Sequence, residues 1–407
     1  MCKTDSPDYN KKMTATVLVT DGRSLSSLAI VRSLGQLGCD VHVCDDFKRN
    51  LSAFSKYVSD VKVHEPVGAD PTAFIDWLVA CCERRQYDLI VPVRDETTLA
   101  VSTHRERVSG VTEVFIADPS AIKQLMDKGR CMKTAEQLGI PIPTTYYPDE
   151  DLESVRANST FPVLIKPRAA SGARGIVRVD DPTNLARKYE AVNRAYQNPI
   201  IQEFVDHSGG HYSIGTLFDE TAEPVATHVY KETRQYPSSG GPAIAAHTVE
   251  REPWIESMLD LLRTHDWKGP AHMDVLYDPD SEEYKLLEVN PRFWSSLGLT
   301  INSGVDIPRQ FYQLAVEDGT PEHDNQYLVE TNYRWILPNE LLWVWEQENK
   351  LRAAQQLGMI DSNTCCATLS RDDLRPVLGV VAQAIGYLQD SNRRKKIFDR
   401  GWSIDHR

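Results

Sequence analysis

The residues best suited to chemistry lie in two apolar segments that a short polar stretch separates. Asp274 lies in the first segment, whereas Glu288, Asn290 and Arg292 lie in the second. Two strands joined by such a turn place Asp274 beside Glu288, and residues two apart on a strand share one face. Carboxylate and amide oxygens without His or Cys favour a hard cation, Mg²⁺ or Mn²⁺. Arg292 shares this face and suits bidentate contact with a phosphate or carboxylate; an exposed strand face of solvated charges is the alternative.

A second group of candidates follows an apolar strand that is predicted to end on Lys166. Glycines in the next loop let backbone N–H groups approach phosphate oxygens closely, and its basic side chains add positive charge. The phosphate-binding candidates in this loop are Ser171, Gly172, Arg174 and Gly175. The loop is not a Walker A loop, because the chain contains no G-x-x-x-x-G-K-[ST] sequence. A glycine hairpin between two strands is the alternative interpretation.

Two further segments have patterns that suit a nucleotide and a second anion. The backbone edge of a strand predicted at 200–205 can hydrogen-bond adenine while Phe204 and Val205 pack against the ring, although an ordinary strand looks the same. The segment 231–241 combines basic residues with a Ser/Gly loop, which suits a substrate carboxylate or a γ-phosphate. The substrate candidates in it are Arg234, Ser239, Gly240 and Gly241.

The elements before these segments alternate between strands and helices. A strand, a helix closed by Gly38 and a second strand form a βαβ unit, which implies a parallel sheet. The predicted strands here are 16–20, 41–44, 89–93 and 114–117, and a further helix is predicted at 71–84. Residues 13–118 are therefore predicted to form an open α/β domain.

The first turn of this domain is not predicted to bind a dinucleotide, because it lacks G-x-G-x-x-G. The segment 95–97 follows a strand end, where ligands lie in open α/β sheets. A helix N-cap is the alternative role for Asp95 and its neighbours.

Composition limits the classes of partner and compartment. The 407 residues carry a formal net charge of −13, which disfavours nucleic acid or an anionic membrane as the main partner. The first twelve residues lack the apolar core of a signal peptide, and the eight cysteines include no C-x-x-C pair. We therefore expect a cytoplasmic protein with free thiols.

The ordered set of candidates resembles the ATP-grasp superfamily, which includes biotin carboxylase, D-alanine–D-alanine ligase and carbamoyl-phosphate synthetase. The resemblance covers residues from about 13 to 310. It implies ATP as the nucleotide, with Mg²⁺ or Mn²⁺ held by Asp274, Glu288 and Asn290, and catalytic roles for Lys166 and Arg292. His211 stands where the family commonly has a ribose-binding Glu. The remaining residues that the resemblance assigns to ATP are Lys128, Lys166, the loop Ser171–Gly175, Gln202, Glu203 and Val205.

The resemblance also implies a fold class, α/β and α+β. An open parallel α/β domain, the pre-ATP-grasp domain, precedes a two-lobed ATP-grasp fold and a C-terminal helical appendage. The expected divisions are a disordered tail at 1–12, the pre-ATP-grasp domain at 13–118, the ATP-grasp domain at 119–310 (small lobe about 130–200, large lobe about 201–310) and a mainly helical region at 311–407.

The activity that this resemblance implies is an ATP-dependent carboxylate–amine ligase, of a subgroup related to the carbamoyl-phosphate synthetase large chain. The enzyme would convert a carboxylate to an acylphosphate and transfer it to an amine, with release of ADP and phosphate. Small carboxylate and amine substrates, amino acids among them, are the expected partners, and a homodimer is plausible by the same resemblance. The alternatives are another acceptor (bicarbonate, a thiol or a simple phosphoryl acceptor) and a non-catalytic ATP-binding scaffold.

Overall fold

The computed structural model describes residues 15–170, 174–238, 240–317, 326–357 and 362–389. The predicted tail at 1–12 and the candidates Ser171, Gly172 and Ser239 lie outside these ranges. The described elements form three sheets, one of them parallel, and this confirms the predicted mixed α/β class. None of the described helices combines the length and apolar character that crossing a bilayer requires.

The first sheet is parallel and has the strand order β3-β2-β1-β4. Ser24 caps the first helix by accepting a hydrogen bond from the Ser27 backbone, and Gly38 ends this helix in the left-handed conformation at φ 97°. The elements of this region are β1 (Thr16–Val19), α1 (Leu25–Leu37), β2 (Asp40–Asp45), β3 (Val58–Val63), α2 (Pro71–Arg85), β4 (Leu89–Val91), α3 (Asp95–Thr103) and α4 (Arg105–Ser109).

The strand predicted at 114–117 is wrong. Glu113 forms one isolated parallel bridge with Leu89, and the apolar residues after it form no strand. Their apolar character reflects packing instead, because Phe115 contacts the ring of Phe311 edge-on, with 5.7 Å between the ring centroids.

The second sheet is antiparallel, has the order β5-β8-β6-β7 and possesses its own apolar cluster. The side chains at its centre are Val163, Ile165, Val177 and Val192. Two helices precede this sheet, and two pack within the same region. The elements are α5 (Pro119–Met126), α6 (Lys128–Gln137), β5 (Thr145–Tyr146), α7 (Leu152–Asn158), β6 (Val163–Lys166), β7 (Val177–Val179), α8 (Leu185–Tyr196) and β8 (Ile200–Glu203).

The third sheet has the order β13-β12-β9-β10-β11-β14-β15 and carries the predicted metal ligands Asp274, Glu288 and Asn290. Glu288, Asp274, Ser213 and Tyr230 occupy facing positions on four successive antiparallel strands. Their side chains therefore share one face of the sheet. The elements are β9 (His211–Phe218), β10 (Pro224–Gln235), β11 (Ala243–Thr248), α9 (Trp254–Arg263), β12 (Gly269–Asp278), β13 (Glu283–Asn290), α10 (Leu297–Asn302) and α11 (Ile307–Val316).

The region after residue 316 is mainly helical where it is described, but it also adds two strands to the third sheet. These three-residue strands are too short to show an alternating pattern in the sequence, and they were not predicted. The elements are β14 (Asn332–Arg334), α12 (Leu341–Glu346), α13 (Lys350–Gln356), β15 (Thr364–Cys366) and α14 (Pro376–Gln389), with a π-helical turn at Ile336–Glu340.

Candidate active site

The hairpin of β12 and β13 brings the predicted metal ligands together. Its register pairs Asp274 with Glu288 and His272 with Asn290. The Asn290 amide nitrogen lies 3.0 Å from an Asp274 carboxylate oxygen and 3.4 Å from a Glu288 oxygen. Two carboxylates and one amide at such distances form a donor set that fits Mg²⁺ or Mn²⁺.

Arg292 follows this hairpin and is held from two sides. Its Nε donates to a carboxylate oxygen of Asp95 at 2.7 Å, and its Nη2 donates to Asn290 Oδ1 at 3.1 Å. Asp95 is the first residue of α3, so the parallel sheet and its helices set the orientation of this guanidinium. Segment 95–97 was a candidate because it follows a strand end, but its pairing with Arg292 was not predicted from the sequence.

The two candidate lysines approach the carboxylates from the second sheet and from α6. Lys128 forms a salt bridge with Glu288 at 2.8 Å and also donates to the carbonyl of Ala170 at 2.8 Å. The buried Lys166 donates to the side-chain oxygen of Gln202 at 2.5 Å. Burial and the nearby Lys128 charge lower the pKa of Lys166 to about 8, and Glu288 offsets part of this effect.

The predicted adenine-binding strand, β8, links the second sheet to the third. Gln202 is fully buried and also donates to Thr145 Oγ1 at 2.9 Å. Glu203 accepts a hydrogen bond from Lys285 of β13 at 2.8 Å. The Arg178 guanidinium lies 4.2 Å from the centre of the Phe204 ring. Val205 is also buried.

The phosphate loop is described only at its end, where Arg174 and Gly175 form a turn. Gly175 has a φ of 74°, and a Cβ there would overlap the Tyr196 ring, so this position requires glycine. The structure therefore places these two residues between β6 and β7, on the connection that begins just after Lys166.

A cluster of His211, Glu232 and Asp274 extends the acidic site along the sheet. The ligand atoms of these three residues all lie within 4.8 Å of one another. His211 Nε2 lies 3.5 Å from Asp274, and its Nδ1 lies 3.6 Å from Glu232. Glu232 was not among the residues predicted from the sequence. The pattern that could have identified it is the pairing of β9 with β10, which places Glu232 opposite His211.

The charges in this cluster depend on one another. Burial alone would lower the pKa of His211, but Glu232 and Asp274 outweigh it and raise that pKa to about 9. Burial raises the pKa of Glu232. Burial also opposes ionisation of Asp274, yet the neighbouring His272 and His211 lower its pKa overall. The two carboxylates therefore favour the protonated form of His211.

Arg234 was predicted to bind a substrate anion, but in the structure its guanidinium already pairs with a carboxylate of the protein. Its guanidinium pairs with Glu340 at 3.0 Å and donates to the Gln356 carbonyl at 3.0 Å. Glu340 is completely buried and also accepts two hydrogen bonds from Arg334, at 2.7 and 2.6 Å. Two arginines thus share one carboxylate, and the C-terminal region supplies that carboxylate.

The glycine loop after Arg234 closes tightly and contacts the same region. A Cβ at Gly241 would overlap the backbone carbonyl of Tyr236, and Gly240 has a φ of 127°. The backbone N–H and hydroxyl of Ser238 both donate to Glu346 of α12, at 3.1 and 2.9 Å. Helix α12 therefore holds one side of this loop.

Comparisons with known proteins agree with this geometry. Residues 125–296 match the family model described as an ATP-grasp domain. D-Alanine–D-alanine ligase B of Chromobacterium violaceum is 27% identical over 209 residues, which are 47% of this chain and 64% of that protein. D-Aspartate ligase of Enterococcus faecium is 24% identical over 76% of this chain and 80% of its own length. The chain spans 38 to 64% of the length of the first curated relatives it matches.

A solved structure shows the same fold. The biotin carboxylase of Campylobacter jejuni superposes with a TM-score of 0.64 at 15% sequence identity, over 78% of this chain and 74% of its own. The matched segment 125–296 contains Lys128, Lys166, the adenine-binding candidates and the carboxylates of the β12–β13 hairpin. Residues 125–296 therefore match an ATP-grasp domain, the family that the sequence motifs indicated.

Proposed function

We propose that this protein is an ATP-dependent carboxylate–amine ligase. The observation that carries the proposal is the convergence of opposite charges at one place. Lys128 contacts Glu288, Glu288 faces Asp274 across the hairpin, and Arg292 contacts Asn290. Cationic side chains beside a hard-cation donor set suit the transfer of a phosphoryl group, in which the protein mainly positions groups and stabilises charge.

Each side chain would have a definite task in this reaction. Asp274, Glu288 and Asn290 would hold Mg²⁺ or Mn²⁺, which when bound neutralises charge on the β- and γ-phosphates. Lys128 and Lys166 would donate hydrogen bonds to phosphate oxygens. Gln202 holds the Lys166 ammonium in the site, whereas Lys128 would exchange its Glu288 partner for a phosphate oxygen when Mg·ATP binds.

Arg292 would act on the carboxylate that receives the phosphoryl group. A free carboxylate is a poor acyl donor, because its leaving group would be oxide. Phosphorylation forms a carboxyl–phosphate bond as the γ-phosphate leaves ADP, and the amine then displaces phosphate to form the amide. Arg292 is suited to orient both oxygens of the carboxylate or acylphosphate, since Asp95 fixes its guanidinium.

The substrates are proposed to include at least one amino acid. Support comes from the relatives, whose names specify D-alanine and D-aspartate as ligase substrates. Arg234 and the loop at 236–241 would border the second substrate. The Arg234–Glu340–Arg334 group carries one net positive charge, which suits a substrate carboxylate.

The test is release of ADP and phosphate with Mg·ATP and a panel of amino acids, supplied singly and in pairs. Release that requires one particular pair, together with the mass of the ligated product, is the expected result. Glu288→Gln should abolish it, whereas Glu283→Gln, an exposed position on the same strand, should not. If release depends on bicarbonate or a thiol, that compound is the acceptor and the proposed amine is not. ATP binding without turnover under every condition would contradict the proposal.

A further inference from the structure

Helix α14 is packed against the parallel sheet region through a face of small residues. Gly379 allows close approach, because a Cβ there would lie 2.8 Å from the Leu51 carbonyl oxygen. Gly386 similarly contacts the ring of Phe47. Gln383 accepts a hydrogen bond from the Leu51 backbone at 3.1 Å. The helix is therefore held in a defined orientation, with its opposite face directed outward.

The outward face is apolar instead of polar. We call it the apolar stripe; its residues are Leu374, Leu378, Val381, Ile385 and Leu388, which are 61, 61, 55, 50 and 63% exposed. Leu374 lies just before α14, and the other four lie on it. Successive members are separated by four, three, four and three residues. This spacing is the a/d repeat with which one helix packs against another in a coiled coil.

The size of the stripe argues for a protein contact. An aliphatic residue of this size exposes roughly 180 Å² in an extended chain, so the five together leave on the order of 500 Å² exposed. Contiguous apolar patches above a few hundred Å² mark interaction sites, and a standard interface buries about 800 Å² on each partner. The exposed area of the stripe is therefore more than half of the area that one partner buries in a standard interface.

The chemistry of the helix favours an identical partner over a membrane or a charged protein. Helix α14 contains no charged residue along its fourteen positions. A helix that lies on a bilayer surface carries Lys and Arg beside its apolar face, whereas the basic residues near α14 precede it at Arg371 and Arg375 or follow it in the sequence at 393–396. Two copies of a chain with a net charge of −13 repel one another, but an uncharged stripe provides a contact without facing carboxylates.

We propose that α14 packs against the α14 of a second copy and forms a symmetric homodimer. A two-fold interface uses the same surface on both copies, and an a/d seam is complementary to itself. Val381 is the middle member of the stripe. The two copies of Val381 therefore meet at the dyad whether the helices run parallel or antiparallel.

The first test is the molar mass of the full chain in solution by light scattering after gel filtration. We expect about 92 kDa, twice the 46.0 kDa chain, at a protein concentration of about 50 µM. The double variant Leu378→Glu/Ile385→Glu should elute as a monomer with an unchanged circular dichroism spectrum. Leu351→Glu, at an 81% exposed position on α13, should leave the dimer intact.

A second test locates the contact. Val381→Cys should form a covalent dimer under mild oxidation, whereas Leu351→Cys should not. A wild-type monomer at 50 µM, or a dimer unaffected by the double glutamate variant, would overturn the proposal. A monomer that floats with lipid vesicles would also overturn it, because the stripe would then bind a bilayer.

Discussion

Lys166 is a candidate residue whose surroundings move its pKa towards neutral pH. Burial and Lys128 lower its pKa to about 8, and its partner Gln202 is neutral. The protonated ammonium attracts phosphate, and the free protein loses this proton above pH 8. ATP should therefore bind more weakly as pH rises above 8, by up to about tenfold per pH unit. Calorimetric titration with ATP from about pH 6 to 10 measures this decline.

The substitution Gln202→Glu tests the cause of this pH dependence. A carboxylate beside the ammonium should raise the pKa of Lys166 and move the decline in ATP affinity to higher pH. Gln197→Glu, at an exposed position, adds the same charge away from the lysine and should leave the profile unchanged. An identical pH profile in both variants would show that Lys166 does not govern it.

Which residue pairs could be predicted from the sequence depends on how far apart they are along the chain. Asp274 and Glu288 lie on two strands joined by one short turn, so their pairing follows from the alternating pattern. Asp95 and Arg292 are 197 positions apart, and only the packing of two sheets brings them together. Glu232 was missed because β9 and β10 were not predicted as a hairpin, and its partner His211 lies on the first strand of that hairpin.

At the scale of elements, the Asp95–Arg292 contact connects α3 of the parallel sheet region to the end of β13. Asp95→Asn removes the charge that orients Arg292 but keeps the size of the side chain. We expect turnover to fall by about tenfold while the KM for ATP changes by less than about twofold. Steady-state kinetics check this, with the neighbouring exposed Glu96→Gln as the control. Equal losses in the two variants would contradict an orienting role for Asp95.

The π-helical turn at Ile336–Glu340 joins β10 to β14 through a buried ionic group. Glu340→Gln would leave Arg234 and Arg334 without a carboxylate, and losing one partner of a buried pair costs about 3–5 kcal/mol. We expect that decrease in the free energy of unfolding, measured by urea denaturation. Glu346→Gln, in the next helix, should change it by less than about 0.5 kcal/mol. A small effect at Glu340 would mean that water replaces the carboxylate.

Helices and strands were predicted correctly from the sequence where the spacing of apolar residues repeated over several positions. The βαβ unit and the hairpin of β12 and β13 each contain several alternating or periodic positions. Strands β14 and β15 have three residues each; β14 joins the sheet at the edge of β11, and β15 then pairs with β14. The apolar run at 114–117 has strand composition, but it packs against Phe311 without a full hydrogen-bonded neighbour.

At the scale of the whole molecule, three sheets each contribute to one site. The parallel sheet region provides Asp95, the second sheet provides Lys166 and Gln202, and the third provides the carboxylates. The direct link between Lys128 and Glu288 occupies groups that would otherwise contact phosphate and metal. A nucleotide with its cation would therefore replace one short ion pair by several contacts spanning these sheets.

Binding of Mg·ATP should consequently stabilise the whole chain against unfolding. A ligand at one hundred times its Kd adds about 2.7 kcal/mol, which raises the apparent Tm by roughly 3–8 °C. Removal of the metal with EDTA should eliminate most of this shift, because the carboxylates of Asp274 and Glu288 then repel the phosphates. Differential scanning fluorimetry measures it, and Asp274→Asn should lose the metal-dependent part whereas Asp280→Asn, in the exposed turn, should retain it. A shift of equal size with and without EDTA would assign nucleotide binding to the lysines alone.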